Sequence, residues 1–186
     1  MSIYITSDLH FGHNKEFVWQ ARGYNSVEDM NAAQIIKWNE CVTHDDEVWV
    51  LGDSMLNDNT AGIECIKQLK GKIHMIAGNH DTDARIKLYE ELGIDVHYAY
   101  RLKYKKKLFM LSHYPTITAN EGDERWQATI NIHGHTHQTQ NFTEGFPFMY
   151  HAGIDSHYGY PVLLDNIINE IEAHWKNLEM GAQKEI

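Results

Sequence analysis

The stretch Ile73-His74-Met75-Ile76-Ala77-Gly78-Asn79-His80-Asp81 decides how this chain is read. An apolar run ends in a glycine, and an amide, an imidazole and a carboxylate follow at once. Four other runs end in a similar way. Ile3-Tyr4-Ile5-Thr6 leads to Ser7-Asp8, with His10 two residues on. Val48-Trp49-Val50-Leu51 leads to Gly52-Asp53, and Leu108-Phe109-Met110-Leu111 to Ser112-His113. Ile130-Asn131-Ile132 leads to His133-Gly134-His135-Thr136-His137. Short apolar runs of this kind read as buried strands. Strand ends at one edge of a sheet meet in space, so ligands far apart in sequence can build one pocket. Carboxylate, amide and imidazole together suit a hydrated divalent cation that promotes hydrolysis.

Outward from these blocks, helical patterns fill the first half of the chain. Asn14 to Ala21 reads as a short helix ending at Gly23. Ser26 caps a longer one to about Thr43, with Asp29 in the capping-box position and Ile35, Trp38 and Val42 as a core stripe. Thr60 to Leu69 and Asp83 to Leu92 follow, closed by Gly71 and Gly93. The pattern then turns β-rich. Val96 to Tyr104 and Leu108 to Leu111 read as a hairpin around Lys105-Lys106, and Ile130–His133, Phe146–Ile154 and Tyr160–Leu164 as further strands. Asp165 caps a last helix whose stripe is Ile167, Ile168, Ile171, Trp175 and Leu178. Alternating α and β followed by mostly β predicts an α/β protein with helices covering its sheets.

At 186 residues, one domain over residues 1–186 is the expectation, with Gly181 to Ile186 as a frayed tail. The composition, 42% hydrophobic and 23% charged with three prolines, is that of a globular protein. A net charge of −10 argues against a nucleic-acid polymer as partner, because phosphate backbones are held by Lys and Arg. Bound metals can reverse the local charge, so a small phosphate ester remains compatible. Lys103, Lys105, Lys106 and Lys107 read as a solvated turn. Cys41 and Cys65 match no metal or redox spacing and read as free thiols in a reducing compartment. With no secretory leader pattern and no apolar run long enough to span a bilayer, the expected location is cytoplasmic, away from the membrane.

Asp8-x-His10 and His135-x-His137 each put two ligands on one side of an extended segment. Asp53 offers a carboxylate able to bridge two cations, Asn79 a neutral oxygen and His113 another imidazole. Seven ligands are too many for one metal and suit two. The chain has 13 histidines, so several must be bystanders. His44, His74, His97, His157 and His174 lack motif context and read as structural. His133 shares the alternation of His135 and His137, and spacing does not separate it from them.

In this order, Asp8-x-His10, Gly52-Asp53, Gly78-Asn79-His80-Asp81, Ser112-His113 and Gly134-His135-Thr136-His137 resemble the five blocks of the calcineurin-like metallophosphoesterase family. The resemblance extends to small bacterial and phage members through His10-Phe11-Gly12-His13-Asn14, Arg22-Gly23-Tyr24, Met30-Asn31, Trp38-Asn39, Gly153-Ile154-Asp155 and Tyr160-Pro161-Val162, and so spans nearly the whole chain. It implies a four-layer α/β/β/α sandwich of two mixed sheets flanked by helices, with a dinuclear site at the C-terminal ends of strands. It further implies one metal on Asp8, His10, Asp53 and His137 and a second on Asp53, Asn79, His113 and His135. Manganese is the first expectation, with iron, zinc, nickel or cobalt as alternatives. Two such cations roughly 3.5–4 Å apart clamp a phosphoryl group and activate water to hydroxide for in-line attack. His80 is the expected proton or hydrogen-bond donor to the leaving oxygen, and Asp53 and His80 are the catalytic assignments.

The implied activity is hydrolysis of a small phosphodiester or phosphomonoester. The alternatives are a nuclease or cyclic-nucleotide phosphodiesterase of the same fold, and a non-catalytic scaffold. Retention of all seven ligands and His80 speaks against the scaffold. Some relatives place an acid three residues after the bridging Asp to orient the catalytic His. Here that position is Leu56, which leaves Asp58 and Asp81 as substitutes. His13, Arg22 and Asn79 are the substrate-binding candidates, with neutralisation of a helix C-terminus as the other reading of Arg22. Tyr114 and Tyr158 read as packing residues first, with contact to a substrate ring or phosphate as the alternative.

Overall fold

The computed structural model describes residues 1–119, 123–125 and 127–182, with side chains to residue 178. Two mixed β-sheets are flanked by helices. In the first sheet, β1 (Ile3–Thr6), β2 (Glu47–Val50), β3 (Lys72–Ile76) and β4 (Asp95–His97) run parallel, and the short β9 (Val162–Leu163) pairs antiparallel to β1 in the order β4-β3-β2-β1-β9. In the second sheet, β5 (Ala99–Tyr104) pairs antiparallel to β6 (Lys107–Ser112). From there β7 (Thr129–His133) and β8 (Met149–His151) continue in parallel.

Strand alternation sorts the apolar side chains into two clusters. Val48, Val50 and Met75 face outward onto α2 (Val27–Cys41), α3 (Asn59–Ile66) and α4 (Asp83–Glu91) through Trp38, Cys65, Ile66 and Tyr89. Ile5, Trp49, Leu51 and Ile76 face inward onto Phe109, Leu111, Ile130, Ile132 and Tyr150 of the second sheet. The last helix, α5 (Leu164–Ala182), sends Ile167, Ile168, Ile171 and Trp175 into that same inner cluster. Its ion pair from Glu172 to Lys107, at the start of β6, holds it against the end of the second sheet away from the ligand-bearing loops. Leu178, the expected end of its stripe, is 44% exposed.

The helix starts follow from local chemistry. Ser26 Oγ accepts from Asp29 N at 3.0 Å, as the capping box predicts, and Asp58 Oδ1 accepts from Ala61 N at 3.0 Å at the start of α3. The helix expected from Asn14 is shorter, α1 (Glu16–Ala21).

Three strand expectations are corrected. Val96 to Tyr104 is not one strand. The chain leaves the first sheet after His97, passes an exposed Tyr98 and enters the second sheet at Ala99, because Asp95 binds His74 of β3 at 2.7 Å and anchors β4 there. Phe146 to Ile154 contracts to Met149–His151, and Tyr160 to Leu164 to Val162–Leu163. In the expected tail, Gly181 and Ala182 continue the backbone of α5, and residues 183–186 lie outside the described residues. No helix among the described residues is long and apolar enough to cross a membrane.

Candidate metal centre and active site

Because β1, β2 and β3 are parallel, as are β6 and β7, the loops after them open at one edge. Those loops carry Asp8, Asp53, Asn79, His113 and His135. The first two are stitched together by Asp8 N to Gly52 O at 3.1 Å, His10 N to Asp53 O at 3.0 Å and Phe11 N to Ser54 O at 2.9 Å. Two sets of ligand atoms converge to within 4.8 Å of one another: Asp8, His10 and His137, and Asp8, Asp53 and His113. Asp8 belongs to both sets, and Asp53, which the resemblance placed between the two metals, belongs to the second. Asn79 and His135 adjoin the second set. Asn79 Oδ1 lies 2.8 Å from His113 Nε2 and 2.9 Å from His135 Nδ1.

Five residues of these blocks, Asp8, His10, Asp53, His135 and His137, adopt positive φ between 49° and 68°. Left-handed backbone costs a non-glycine residue about 1–2 kcal/mol, so it persists only where surrounding contacts impose it, and such outliers cluster at functional sites. Two glycines permit the close approach. A Cβ on Gly134 would stand 1.9 Å from Ser7 Oγ and 2.5 Å from Asp8 Oδ2. One on Gly78 would stand 2.3 Å from Asp53 Oδ1.

Hydrogen bonds fix which atoms face the centre. His113 Nδ1–H donates to Leu51 O at 2.8 Å, so its Nε2 presents a lone pair, 3.5 Å from Asp53 Oδ2. His137 Nδ1–H donates to Asp155 Oδ2 at 2.7 Å, which turns its Nε2 toward His10 Nε2 at 3.3 Å and Asp8 Oδ1 at 3.9 Å. Asp8 is fully buried, and its Oδ1 has no hydrogen-bond partner. Lone pairs meeting lone pairs around an unpaired buried carboxylate oxygen fit a cation in their midst. The donor set of carboxylate, imidazole and amide oxygen is that of borderline divalent metals.

The electrostatics agree. Burial, with lesser repulsion from Arg22 and neighbouring histidines, holds His10 well below the usual imidazole range, and burial also lowers His13 and His135. The shifts favour the neutral ring, the form in which His10 and His135 would ligate. Burial raises Asp8, the pull expected on a carboxylate lacking its counter-charge. Burial opposes ionisation of Asp155 too, but the His137 hydrogen bond and Arg22 outweigh it and hold this carboxyl at about 2.

The remaining candidates fall into different places. Arg22 is spent: Nε and Nη2 grip Asp155 at 2.9 and 3.2 Å, while Nη2 and Nη1 reach Asp8 O at 2.8 Å and Leu9 O at 3.1 Å. It stands behind the centre, tying Asp155 to the loop after β1, and it is not a free phosphate clamp. His13 is buried beside His10, ring centroids 5.4 Å apart, with Nδ1 unpartnered. His80 is half-exposed. Its amide donates to Asp53 Oδ1 at 2.9 Å, its carbonyl accepts from Arg85, and its Nε2 lies 4.0 Å from Asp53 Oδ2.

Neither carboxylate suggested as its partner serves that purpose. Asp58 caps α3, and Asp81 accepts from Asp53 N and Gly78 N, each at 2.8 Å, and from Tyr89 OH at 2.8 Å. Tyr158, read as a packing residue, is 88% exposed, and Tyr114 is half-exposed with its ring 4.7 Å from that of His135. His133 is in neither convergent set; its ring lies against His151 at 5.5 Å and its Nδ1 is 2.9 Å from Gly134 O.

Sequence reading missed Asp155 and Asp81 as the residues that hold His137 and the Asp53 loop. Asp155 stood in the sequence only within the resemblance segment Gly153-Ile154-Asp155, and Asp81 only as a possible partner of His80; neither carried a sign of the group it binds.

The profile of the calcineurin-like phosphoesterase superfamily domain matches residues 1–153. The chain belongs to that superfamily. An uncharacterised protein of Methanocaldococcus jannaschii is 32% identical over 178 residues, covering 91% of each chain. The gene 66 protein of mycobacteriophage D29 is 29% identical over 199 residues, covering 92% of this chain and 98% of its own. Among solved structures, a protein of unknown function from Aquifex aeolicus superposes with a TM-score of 0.66 at 22% identity, covering 90% of this chain and 98% of that one. That last likeness concerns the fold.

Proposed function

We propose that this superfamily member is a metal-dependent phosphoesterase that hydrolyses a small phosphodiester or phosphomonoester. The observation that carries the reading is the unpaired, fully buried Asp8 oxygen at the meeting point of two convergent ligand sets. Asp8, His10, Asp53 and His137 would hold one divalent cation, and Asp53, Asn79, His113 and His135 the other, with manganese the first choice. When bound, such cations supply Lewis-acid polarisation of phosphoryl oxygens and activation of water.

The chain's own residues supply position and protons. Asp81 fixes the backbone of Asp53 and Gly78, and Asp155 fixes the tautomer of His137. With its main chain pinned to Asp53 and Arg85, His80 presents an accessible imidazole beside the centre. In this reading it donates a proton to the departing oxygen.

Hydrolysis of bis-p-nitrophenyl phosphate with Mn²⁺ is the test. It should be abolished by Asp53→Asn, and His80→Ala should cut turnover by about 10²–10⁴ while metal content is kept. Absence of hydrolysis of any generic diester or monoester with Mn²⁺, Fe²⁺, Zn²⁺, Ni²⁺ or Co²⁺ would overturn the proposal.

A further inference from the structure

Beside the metal centre lies a cavity of about 920 Å³ that shares His10, His80 and His137 with it. An ester whose phosphorus sits among the ligands would project its organic part here. The space is at the upper end of pockets that enclose whole small molecules, far larger than a phosphoryl group requires. Its walls are largely apolar, formed by Val18, Ala21, Leu56 and Ile154, and Phe17 and Tyr158 stand at it with 72% and 88% of their surfaces exposed. Large exposed rings bordering a cavity beside a reactive centre suit a flat aromatic guest better than a sugar or glycerol. Lys37 Nζ, which donates to Tyr158 O at 2.7 Å, ties that part of the rim to α2.

The polar signal comes from Gln34. It lies on the inward face of α2 between Met30 and Trp38, where a helix normally places an apolar side chain. It is 2% exposed, lines the cavity, and has a hydrogen-bond partner at neither Nε2 nor Oε1. An unpaired buried polar group costs about 1–3 kcal/mol. Both amide atoms are shielded in this conformation, so the side chain would turn toward the cavity to meet a guest, and an acceptor next to a donor there satisfies both atoms at once. Adenine does so along its N7 and N6 edge, the pairing that Asn and Gln side chains make with that base. A hydrocarbon leaving group would leave Gln34 unsatisfied, and a sugar phosphate would leave the apolar walls unused.

We infer that the cavity is an adenine site, with Gln34 as its specificity residue, and that the substrate class is a phosphate ester of adenosine. The substrate assignment rests on the phosphoesterase reading, whereas base recognition can be measured without it. Isothermal titration of the full chain with adenosine, purine riboside and ribose needs neither cation nor turnover. Purine riboside keeps the ring nitrogens and lacks the 6-amino donor.

Adenosine should bind roughly tenfold more tightly than purine riboside, the lower end of what one paired base edge is worth. Ribose should not register. In Gln34→Leu that preference should vanish while the thermal midpoint holds or rises, because an unpaired buried amide has been removed. Should that variant not fold, Tyr158→Ala at the exposed rim carries the test, with adenosine binding expected to weaken about tenfold through lost stacking. No adenosine binding, equal affinity for adenosine and purine riboside, a preference that survives Gln34→Leu, or a Tyr158→Ala variant with unchanged affinity would each overturn the inference. Adenosine binding without hydrolysis of any ester would sink the phosphoesterase reading alone. Hydrolysis without base preference would sink this one alone.

Discussion

Asp155 shows how a single residue sets the centre. Its carboxylate takes the Nδ1 proton of His137 on one side and the Arg22 guanidinium on the other, and Arg22 in turn holds the carbonyls of Asp8 and Leu9. Carboxylates placed behind ligating histidines raise their basicity and hold the ring in line. Asp155→Asn keeps an acceptor for His137 but removes the charge that Arg22 pairs with. Affinity for Mn²⁺ should fall by about 10–100-fold in a metal titration; an unchanged affinity would remove Asp155 from the account. The identities of Asp8, Asp53, Asn79, His113 and His135 were legible because residue type and strand-end position coincide in one short stretch. The work of Arg22, Asp155 and Asp81 was not. Each depends on a partner brought near only by folding, with 133 residues separating Arg22 from Asp155. The left-handed backbone at five residues of these blocks was equally hidden: Asp and His adopt it more readily than most residues, but tertiary contacts decide which of them do.

Among the elements, the parallel strands were read from their apolar runs, and their shared direction is what gathers the ligands. The junction of β4 and β5 was misread as one strand because period-two alternation continues through it. What divides it is the bond from Asp95 to His74, a contact between strands. The turn of the β5–β6 hairpin was placed correctly at Lys105-Lys106, and the structure gives both residues positive φ, 46° and 67°. Two-residue turns with that backbone favour Asn-Gly. Replacing Lys105-Lys106 with Asn-Gly should therefore raise the thermal midpoint by about 2–4 °C, the shift expected for roughly 1 kcal/mol in a chain of this size. The exposed pair from Lys105 to Asp165 that is lost is worth little. A lower midpoint would show that the strain inferred from those angles is not there.

At the scale of the whole molecule, the acidic chain of net charge −10 gathers neutral imidazoles inside. His151, fully buried, is pushed down to about 3 by burial, reinforced by His133 and His157. Its ordinary value is about 6.5, so below that pH the unfolded chain takes up a proton that the folded chain refuses. Its contribution to stability is complete above about pH 6.5 and is lost as pH falls toward 3, amounting to roughly 2 kcal/mol by pH 5. Burial shifts His10 and His133 in the same direction. His137, raised by Asp155, runs the other way. Urea unfolding of metal-free protein should give a lower midpoint at pH 5 than at pH 7, and equal midpoints would contradict the buried-neutral assignment. In the proposed reading, phosphoester hydrolysis depends on two cations held at the loops that follow the parallel strands. That dependence is tested most directly by counting metal per chain after Mn²⁺ loading and desalting, with hydrolysis of bis-p-nitrophenyl phosphate assayed on the same sample. About two ions per chain are expected, with the count falling in Asp8→Asn and hydrolysis falling with it. A folded protein that retains no metal, or one that hydrolyses the ester equally well after chelation, would contradict it.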